Sequence, residues 1–275
     1  MSLLIFGCGY LGMRVAKLAI ERDEPVYAVT RGREDALRSN GIIPIVGDVT
    51  EPIDYTVLGD EPVNVVYCIG LDRKAGKSMR EVYVDGLRNV LTSSLKIHRF
   101  LYVSSTSVYG QNSGEWVDES SPTVPTEESG KIVLEAEQVL RQLTPYAIIL
   151  RFAGIYGPGR VLRRDSLLRG EPVPGSASKF INLVHVDDGA QAVLAAVAAA
   201  EDGSTHNISD GQAPSRGDFF SETARLLGAP KPTFLEDASG TEANRRIRLG
   251  SYPKQLRYPT CREGLVQALS DTRVG

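Results

Sequence analysis

Leu3-Leu4-Ile5-Phe6-Gly7-Cys8-Gly9-Tyr10-Leu11-Gly12 begins as an apolar run of strand length and passes into glycines spaced GxGxxG. Residues Tyr10 to Ile20 then read as a helix. Each glycine has its own task in such a strand–turn–helix. Gly7 permits the tight turn out of the strand, Gly9 leaves bare backbone for a pyrophosphate, and Gly12 lets the helix pack closely on the sheet. The free N–H groups and macrodipole at the helix start favour an anion there. Gly7, Gly9, Tyr10, Leu11 and Gly12 are therefore the expected phosphate contacts of a dinucleotide.

Outward from this loop, strands and helices alternate. Pro25 to Thr30 is a strand, followed by the basic turn Arg31-Gly32-Arg33 and a brief helix, Glu34 to Asn40. Ile42 to Val46 is the third strand and Val63 to Ile69 the fourth, an apolar run of the kind buried in a parallel sheet. A helix is expected over Ser78 to Ile97, a fifth strand over Phe100 to Val103, a helix over Glu127 to Leu143, and a sixth strand over Tyr146 to Phe152. This order predicts an α/β fold, a doubly wound parallel Rossmann sheet with right-handed crossovers. After Gly154, Gly and Pro become frequent and the segments short. Val186 to Ala200 reads as an Ala-rich helix and Thr205 to Ile208 as a late strand. The expected division is residues 1–154 for the dinucleotide-binding domain and 155–275 for a small interleaved substrate lobe, with 176–212 returning to the sheet.

Composition narrows the function classes. The chain has 275 residues, 42% hydrophobic and 24% charged, with a net charge of −3. That balance argues against a basic footprint for nucleic acid. No apolar stretch reaches the roughly 20 residues of a membrane span, and no basic n-region precedes the first apolar run. Cys8, Cys68 and Cys261 are odd in number and scattered, so neither a disulfide framework nor a metal site is suggested. The expected protein is cytoplasmic and metal-free, with a small-molecule substrate and no membrane or nucleic-acid partner.

Four further segments give the pattern a family look. Val103-Ser104-Ser105-Thr106-Ser107-Val108-Tyr109-Gly110 ends the fifth strand, and Leu150-Arg151-Phe152-Ala153-Gly154-Ile155-Tyr156-Gly157-Pro158-Gly159 ends the sixth. Asn182-Leu183-Val184-His185-Val186-Asp187-Asp188 precedes the Ala-rich helix, and Asn207-Ile208-Ser209-Asp210-Gly211 follows it. With the glycine loop, these resemble the extended short-chain dehydrogenase/reductase superfamily, the group of nucleotide-sugar epimerases and dehydratases. The tight GxGxxG in place of the usual GxxGxxG implies an atypical subgroup similar to the YeeZ-like epimerases. The resemblance implies a nicotinamide dinucleotide and a homodimer built through helices around the sheet. The segment from Glu127 to Leu143 is a candidate for that dimer, although covering a sheet demands the same apolar face.

Cofactor choice is read at the second strand. An acid there would accept a hydrogen bond from the ribose 2′-OH of NAD. This chain places Thr30 and Arg31 at the strand end, with Arg33 close behind. A guanidinium suits a 2′-phosphate through charge-assisted hydrogen bonds, so NADP is favoured over NAD, against the plainer alternative of solvated turn residues. By resemblance, Asp48 and Val49 border the adenine, Cys68, Ile69 and Gly70 pass beneath the ribose, and Ser104, Phe152 and Gly154 approach the cofactor. Cys8 reads as a small filler between glycines.

The family's chemistry rests on Ser/Thr, Tyr and Lys around the nicotinamide, with Tyr as acid/base and Lys lowering its pKa. The segment Ser129-Gly130-Lys131-Ile132-Val133-Leu134-Glu135-Ala136-Glu137 puts Ser129 at the Tyr position and Val133 at the Lys position; no YxxxK occurs in the chain. Lys131 is two residues from Ser129, a turn of about 200°, and faces away. Ser105 stands at the Ser/Thr position, with Ser104 and Thr106 beside it. Tyr83 replaces the Asn usual near the catalytic Lys and is a candidate acid/base; the plainer alternative is space filling. The catalytic candidates are thus Ser105, Tyr83 and Ser129. The substrate candidates are Thr106, Tyr156, Arg160, Asn182 and His185. Asp187 and Asp188 read as helix caps, and Arg73, Lys74 and Lys77 as a basic loop at the ligand edge. Two functions remain open: an NADP-dependent epimerase or reductase with altered acid/base groups, or a non-catalytic dinucleotide sensor.

Overall fold

A computed structural model describes residues 1–235 and 243–270. In chain order the elements are β1 (Leu3–Phe6), α1 (Gly12–Ile20), β2 (Val26–Thr30), α2 (Glu34–Arg38), β3 (Ile43–Val46), β4 (Val63–Tyr67), α3 (Gly86–Leu91), β5 (Ile97–Ser105), β6 (Trp116–Val117) and α4 (Glu128–Leu143). They continue as β7 (Ile148–Phe152), β8 (Gly154–Tyr156), α5 (Arg164–Leu168), β9 (Val173–Pro174), β10 (Leu183–His185), α6 (Val186–Ala199), β11 (Thr205–Ile208), α7 (Arg216–Leu227), β12 (Phe234–Leu235), β13 (Arg246–Ile247) and α8 (Cys261–Ser270).

Seven strands form the central sheet in the order β11-β7-β5-β4-β1-β2-β3. The pairs β1–β2, β1–β4, β2–β3 and β4–β5 are parallel. The strand order reverses at β1, so the switch point lies between β1 and β4, where ligands of doubly wound sheets bind outside the carboxyl ends of the strands. The expected Rossmann architecture is therefore what the chain adopts. β1 and β7 are buried along their whole length, as strands covered on both faces must be.

The chain divides into two compact units. The first holds residues 1–108, 123–151 and 190–206; the second holds 109–122, 152–189 and 207–275. In the first, Tyr67 is fully buried and stacks on Phe6 at 5.6 Å, Phe100 at 6.1 Å and Tyr102 at 5.8 Å between ring centroids. Each such pair adds about 0.5–1.5 kcal/mol beyond the area it buries. In the second, Tyr156, Leu167, Val173, Leu183, Phe219, Phe220 and Leu265 form a separate core. α7 there is bounded by Ser215, whose hydroxyl accepts the Asp218 N–H at 3.0 Å, and by Gly228 in the left-handed conformation; both are standard helix stops.

One element differs from the expected pattern. The helix foreseen from Ser78 to Ile97 forms over residues 79–91 only, with a π-helical turn at Glu81–Asp85 leading into α3. Ser93 ends it by donating to the Val90 carbonyl at 2.7 Å. The chain then joins the sheet at Ile97, opposite Val63, so β5 begins earlier than its apolar run. The periodicity over 78–97 is real, but the polar stop at Ser93 and pairing with β4 claim its last third.

Candidate cofactor and active site

The glycine loop leaves β1 at the switch point, and its three glycines differ in what surrounds them. Gly7 has φ +90°, and a Cβ there would lie 2.5 Å from the Cys68 carbonyl oxygen. A Cβ on Gly12 would lie 2.5 Å from the Gly7 carbonyl oxygen. Around Gly9 a Cβ would meet nothing within 4 Å. Gly7 and Gly12 are thus required by backbone packing, while Gly9 opens onto space a ligand can enter. The first turn of α1 closes on the loop itself: the Met13 N–H donates to the Gly9 carbonyl at 2.9 Å and the Arg14 N–H to the Leu11 carbonyl at 3.0 Å. Arg14 lies beside this turn, its guanidinium 4.4 Å from the Tyr10 ring centroid and donating to the Tyr10 carbonyl at 3.0 Å. Leu11 is buried. A dinucleotide pyrophosphate fits this cradle: bare backbone at Gly9, the positive end of the α1 dipole and the Arg14 guanidinium lie together there.

The two arginines after β2 part company. Thr30 is buried and its hydroxyl accepts the Arg33 N–H at 3.1 Å, which shapes the turn. The Arg33 guanidinium reaches back to the glycine loop and donates to the Cys8 carbonyl at 2.6 Å. Arg31 instead pairs with Asp72 at 2.8 Å. Cys8 and Cys68 are inert packing. Burial pushes the Cys8 thiol up to about 11 and Cys68 higher still, far from the thiolate that reactivity requires.

At the end of β3, Asp48 accepts from the Thr50 N–H at 3.0 Å and its hydroxyl at 2.9 Å, and pairs with Lys77 at 3.1 Å. Desolvation pushes its carboxyl up, but the Thr50 hydrogen bonds and the Lys77 ammonium together hold it below its ordinary value. Val49 packs into the core against Gly86, and its carbonyl accepts from the Asn89 side chain at 3.0 Å. After β4, Ile69 is half-buried, and Gly70 is exposed with open space beside it.

The catalytic candidates lie on and around β5 and α4. Ser104 and Ser105 alternate across the strand. The Ser104 hydroxyl donates to Glu137 at 2.5 Å, and the buried Glu137 carboxylate takes Arg151 bidentately, at 3.0 Å from Nε and 2.8 Å from Nη2. This commits the Ser104 side chain to the interior and leaves Ser105 on the opposite side of the strand. The Ser105 hydroxyl accepts the Ser107 N–H at 3.1 Å. Thr106 is buried at the strand end. On α4, Ser129 is exposed, Val133 is buried, and exposed Lys131 pairs with Glu128. Gly130 is required because a Cβ would lie 2.4 Å from the Ser107 carbonyl oxygen. Tyr83 sits in the π-helical turn, half-buried, and its hydroxyl oxygen accepts the Leu71 N–H at 3.0 Å. Such π turns are frequent at functional sites.

The second unit treats its motif residues differently. His185 is buried, with Nε2 2.9 Å from the Gln267 amide oxygen and Nδ1 accepting the Asp187 N–H at 3.3 Å. That pairing assigns the Nε2–H tautomer. Its ring lies 5.4 Å from Tyr156 and 4.1 Å from Tyr258. Tyr156 is fully buried, its hydroxyl against Gly264, where a Cβ would approach it to 2.0 Å. The Asn182 amide donates to the Arg245 carbonyl at 2.9 Å and accepts the Ile247 N–H at 2.7 Å, which clamps β13. Arg160 is exposed beyond β8, bridged through its backbone to Gly157. Phe152 is buried, and Gly154 passes close to the Asn182 carbonyl, 3.2 Å from where its Cβ would lie. Asp188 accepts not from its own helix but from the N–H groups of Arg257 at 2.6 Å and Tyr258 at 3.0 Å.

Sequence reasoning gave no role to Glu137, Asp72 or Asp210. Glu137 carries a usable signal, since it falls on the α4 face of Val133, Ala136 and Leu140. Asp72 carries none; its partner is 41 residues away. Among the described residues no helix is long and apolar enough to cross a membrane, and no cluster of His, Cys, Asp and Glu could hold a metal ion.

Comparison with known proteins agrees with this fold. The model of the NAD dependent epimerase/dehydratase family matches residues 3–209. Protein YeeZ of Escherichia coli (strain K12) is 32% identical over 240 residues, 84% of this chain and 85% of that protein. Among solved structures, MoeE5 in complex with UDP-glucose and NAD superposes with a TM-score of 0.79 at 24% identity, covering 99% of both chains. The UDP-glucuronic acid 4-epimerase of Bacillus cereus in complex with NAD gives 0.80 at 20% identity, again covering 99% of both. At those identities the two structures speak for the fold.

Proposed function

The chain belongs to the NAD dependent epimerase/dehydratase family, and we propose that it is an NADP-binding epimerase or reductase acting on a nucleotide sugar or a related carbonyl or alcohol, with acid/base groups other than the family's Tyr and Lys. The observation that carries the reading is the cradle at the switch point. Gly9 opens onto free space, Gly7 and Gly12 tolerate no side chain, and Arg33 is held on the loop carbonyl. The guanidinium groups of Arg31 and Arg33 after β2 support NADP over NAD. UDP-glucose in MoeE5 supports the substrate class.

A nicotinamide dinucleotide supplies hydride exchange when bound. The chain's own residues then have three tasks. Gly7 to Gly12 bind the pyrophosphate, and Ser105, on the side of β5 away from Glu137, orients a substrate oxygen. The Tyr83 hydroxyl, fixed by the Leu71 N–H, gives or takes the proton at that oxygen, in place of the Tyr that Ser129 replaces. Loss of a positioned acid/base group typically costs about 10²–10⁴ in rate.

Calorimetric titration with NADP(H) and NAD(H), followed by exchange of labelled hydride from NADPH into a panel of nucleotide sugars, tests the reading. Binding with exchange supports the enzyme, and Tyr83→Phe should then lower turnover at least tenfold. Binding without exchange across the panel supports the second reading, a dinucleotide-responsive regulator, which the buried Val133 at the Lys position favours. Binding of neither dinucleotide removes both.

A further inference from the structure

We propose that Asp72 sets the dinucleotide preference of this site, by neutralising Arg31 and bringing to the end of β2 the carboxylate that β2 itself lacks. The proposal rests on the reading that the glycine loop binds a nicotinamide dinucleotide.

β2 ends at Thr30, and no acid stands where one would accept a ribose hydroxyl. Asp72 comes from the loop after β4, yet its carboxylate lies 2.8 Å from the Arg31 guanidinium. Both side chains are about half exposed, 47% each, so a ligand can reach the pair. The acid is held in place, not merely nearby. It accepts the Lys74 N–H at 3.0 Å as the cap of the short turn over Arg73–Ala75. The far end of the same loop is tied down by Lys77 on Asp48 at 3.1 Å. The Lys74 and Arg31 hydrogen bonds keep the Asp72 carboxyl below the ordinary range, so it is ionised at neutral pH.

Arg33 has a different partner. It rests on the neutral Cys8 carbonyl, and among the described residues no carboxylate pairs with it. The two guanidinium groups are therefore unequal toward a 2′-phosphate. Arg33 offers a full positive charge. Arg31 must first leave Asp72, whose negative charge then opposes the phosphate. Asp72 accordingly moderates NADP selectivity, and removing its charge should sharpen it.

Asp72→Asn and Asp72→Ser both keep an acceptor for the Lys74 N–H while removing the charge. Dissociation constants for NADPH and NADH are measured by calorimetry at low ionic strength, where exposed charges are least screened. Each variant should bind NADPH about three- to tenfold tighter, the range of an exposed ion pair gained with a charge-assisted phosphate contact. NADH affinity should stay the same or fall. In the Arg31→Ala background the gain should vanish, while Arg33→Ala should weaken NADPH in either background. An unchanged NADPH-to-NADH ratio in both variants, or a gain that survives Arg31→Ala, overturns the role of Asp72 and leaves dinucleotide binding standing. If the native protein binds neither dinucleotide, both readings fall.

Discussion

At the carboxyl edge of β1 and β4, backbone and charged groups are open to a ligand; between β8 and α8, the motif side chains His185, Asn182 and Asp188 are engaged by internal partners. Gly9 faces free space, Gly70 likewise, and Arg31 and Arg33 are exposed. His185, Asn182 and Asp188, by contrast, each spend their side chains on internal partners, and Tyr156 is sealed in the core. A residue that completes a motif can therefore serve a ligand in one region and a scaffold in another. Burial and hydrogen-bond commitment separate the two, and motif membership does not.

The largest expected effect tests whether that separation also holds within the first unit, where β5 presents Ser104 to the interior. Glu137→Ala removes the carboxylate that the buried Arg151 guanidinium and the Ser104 hydroxyl share. Breaking a buried pair from one side costs about 3–5 kcal/mol, so urea denaturation should show a loss of that size. At a temperature where the variant stays folded, NADPH affinity should remain within about twofold of native, a change of at most about 0.4 kcal/mol, because Glu137 faces the interior. A large affinity loss would mean that scaffold and ligand groups are not divided between the faces of β5.

The glycines sharpen the comparison next. Gly7→Ala forces a Cβ to 2.5 Å from a backbone oxygen at φ +90°, and strain with overpacking should destabilise by about 3 kcal/mol. Gly9→Ala meets nothing within 4 Å, so thermal unfolding should be unchanged. Its added methyl lies where the ligand backbone approach is expected, and NADPH binding should weaken at least tenfold. A Gly9→Ala protein that binds NADPH normally would break the ligand reading of the loop.

The same contrast shows what the sequence could convey. Backbone requirements are local, so Gly7, Gly9 and Gly12 could be read from spacing alone, and the buried strands from their unbroken apolar runs. Helix α4 was legible to within a residue because its apolar face repeats cleanly. The segment over 78–97 was not, because periodicity does not reveal that Ile97 pairs with Val63. Long-range polar pairing was the least visible. Nothing near Asp72 announces Arg31, and nothing near His185 announces Gln267, 82 residues later. Asn182 and Tyr156 matched a pattern, but a pattern does not say whether a side chain points at a ligand or at its own core.

Asp210 makes the second region's commitment measurable by pH. Burial pushes its carboxyl up to about 6, against about 4 when unfolded. The folded protein therefore keeps a proton over that interval that the unfolded chain gives up. Its contribution to stability is full below about pH 4, falls as pH rises toward 6, and stays reduced above. Asp210→Asn should remove this slope and stabilise the protein near pH 7 by about 2 kcal/mol, seen as a difference between the two stability–pH curves. Equal slopes would show that Asp210 is solvated in solution.

The smallest effect is the most selective. The Gln267 amide oxygen is the acceptor that fixes Nε2–H of buried His185, and α8 supplies it. Gln267→Ala removes that acceptor and should cost about 1 kcal/mol, read as a lowered urea midpoint at unchanged slope. Dinucleotide affinity should not change, because the lost bond holds the scaffold of the second unit and no ligand group. If affinity falls with stability preserved, His185 belongs with the open groups of the glycine edge, and the division drawn between the two regions is wrong at its best-defined residue. If stability falls and affinity holds, the histidine's match to the family motif marks how that region is built.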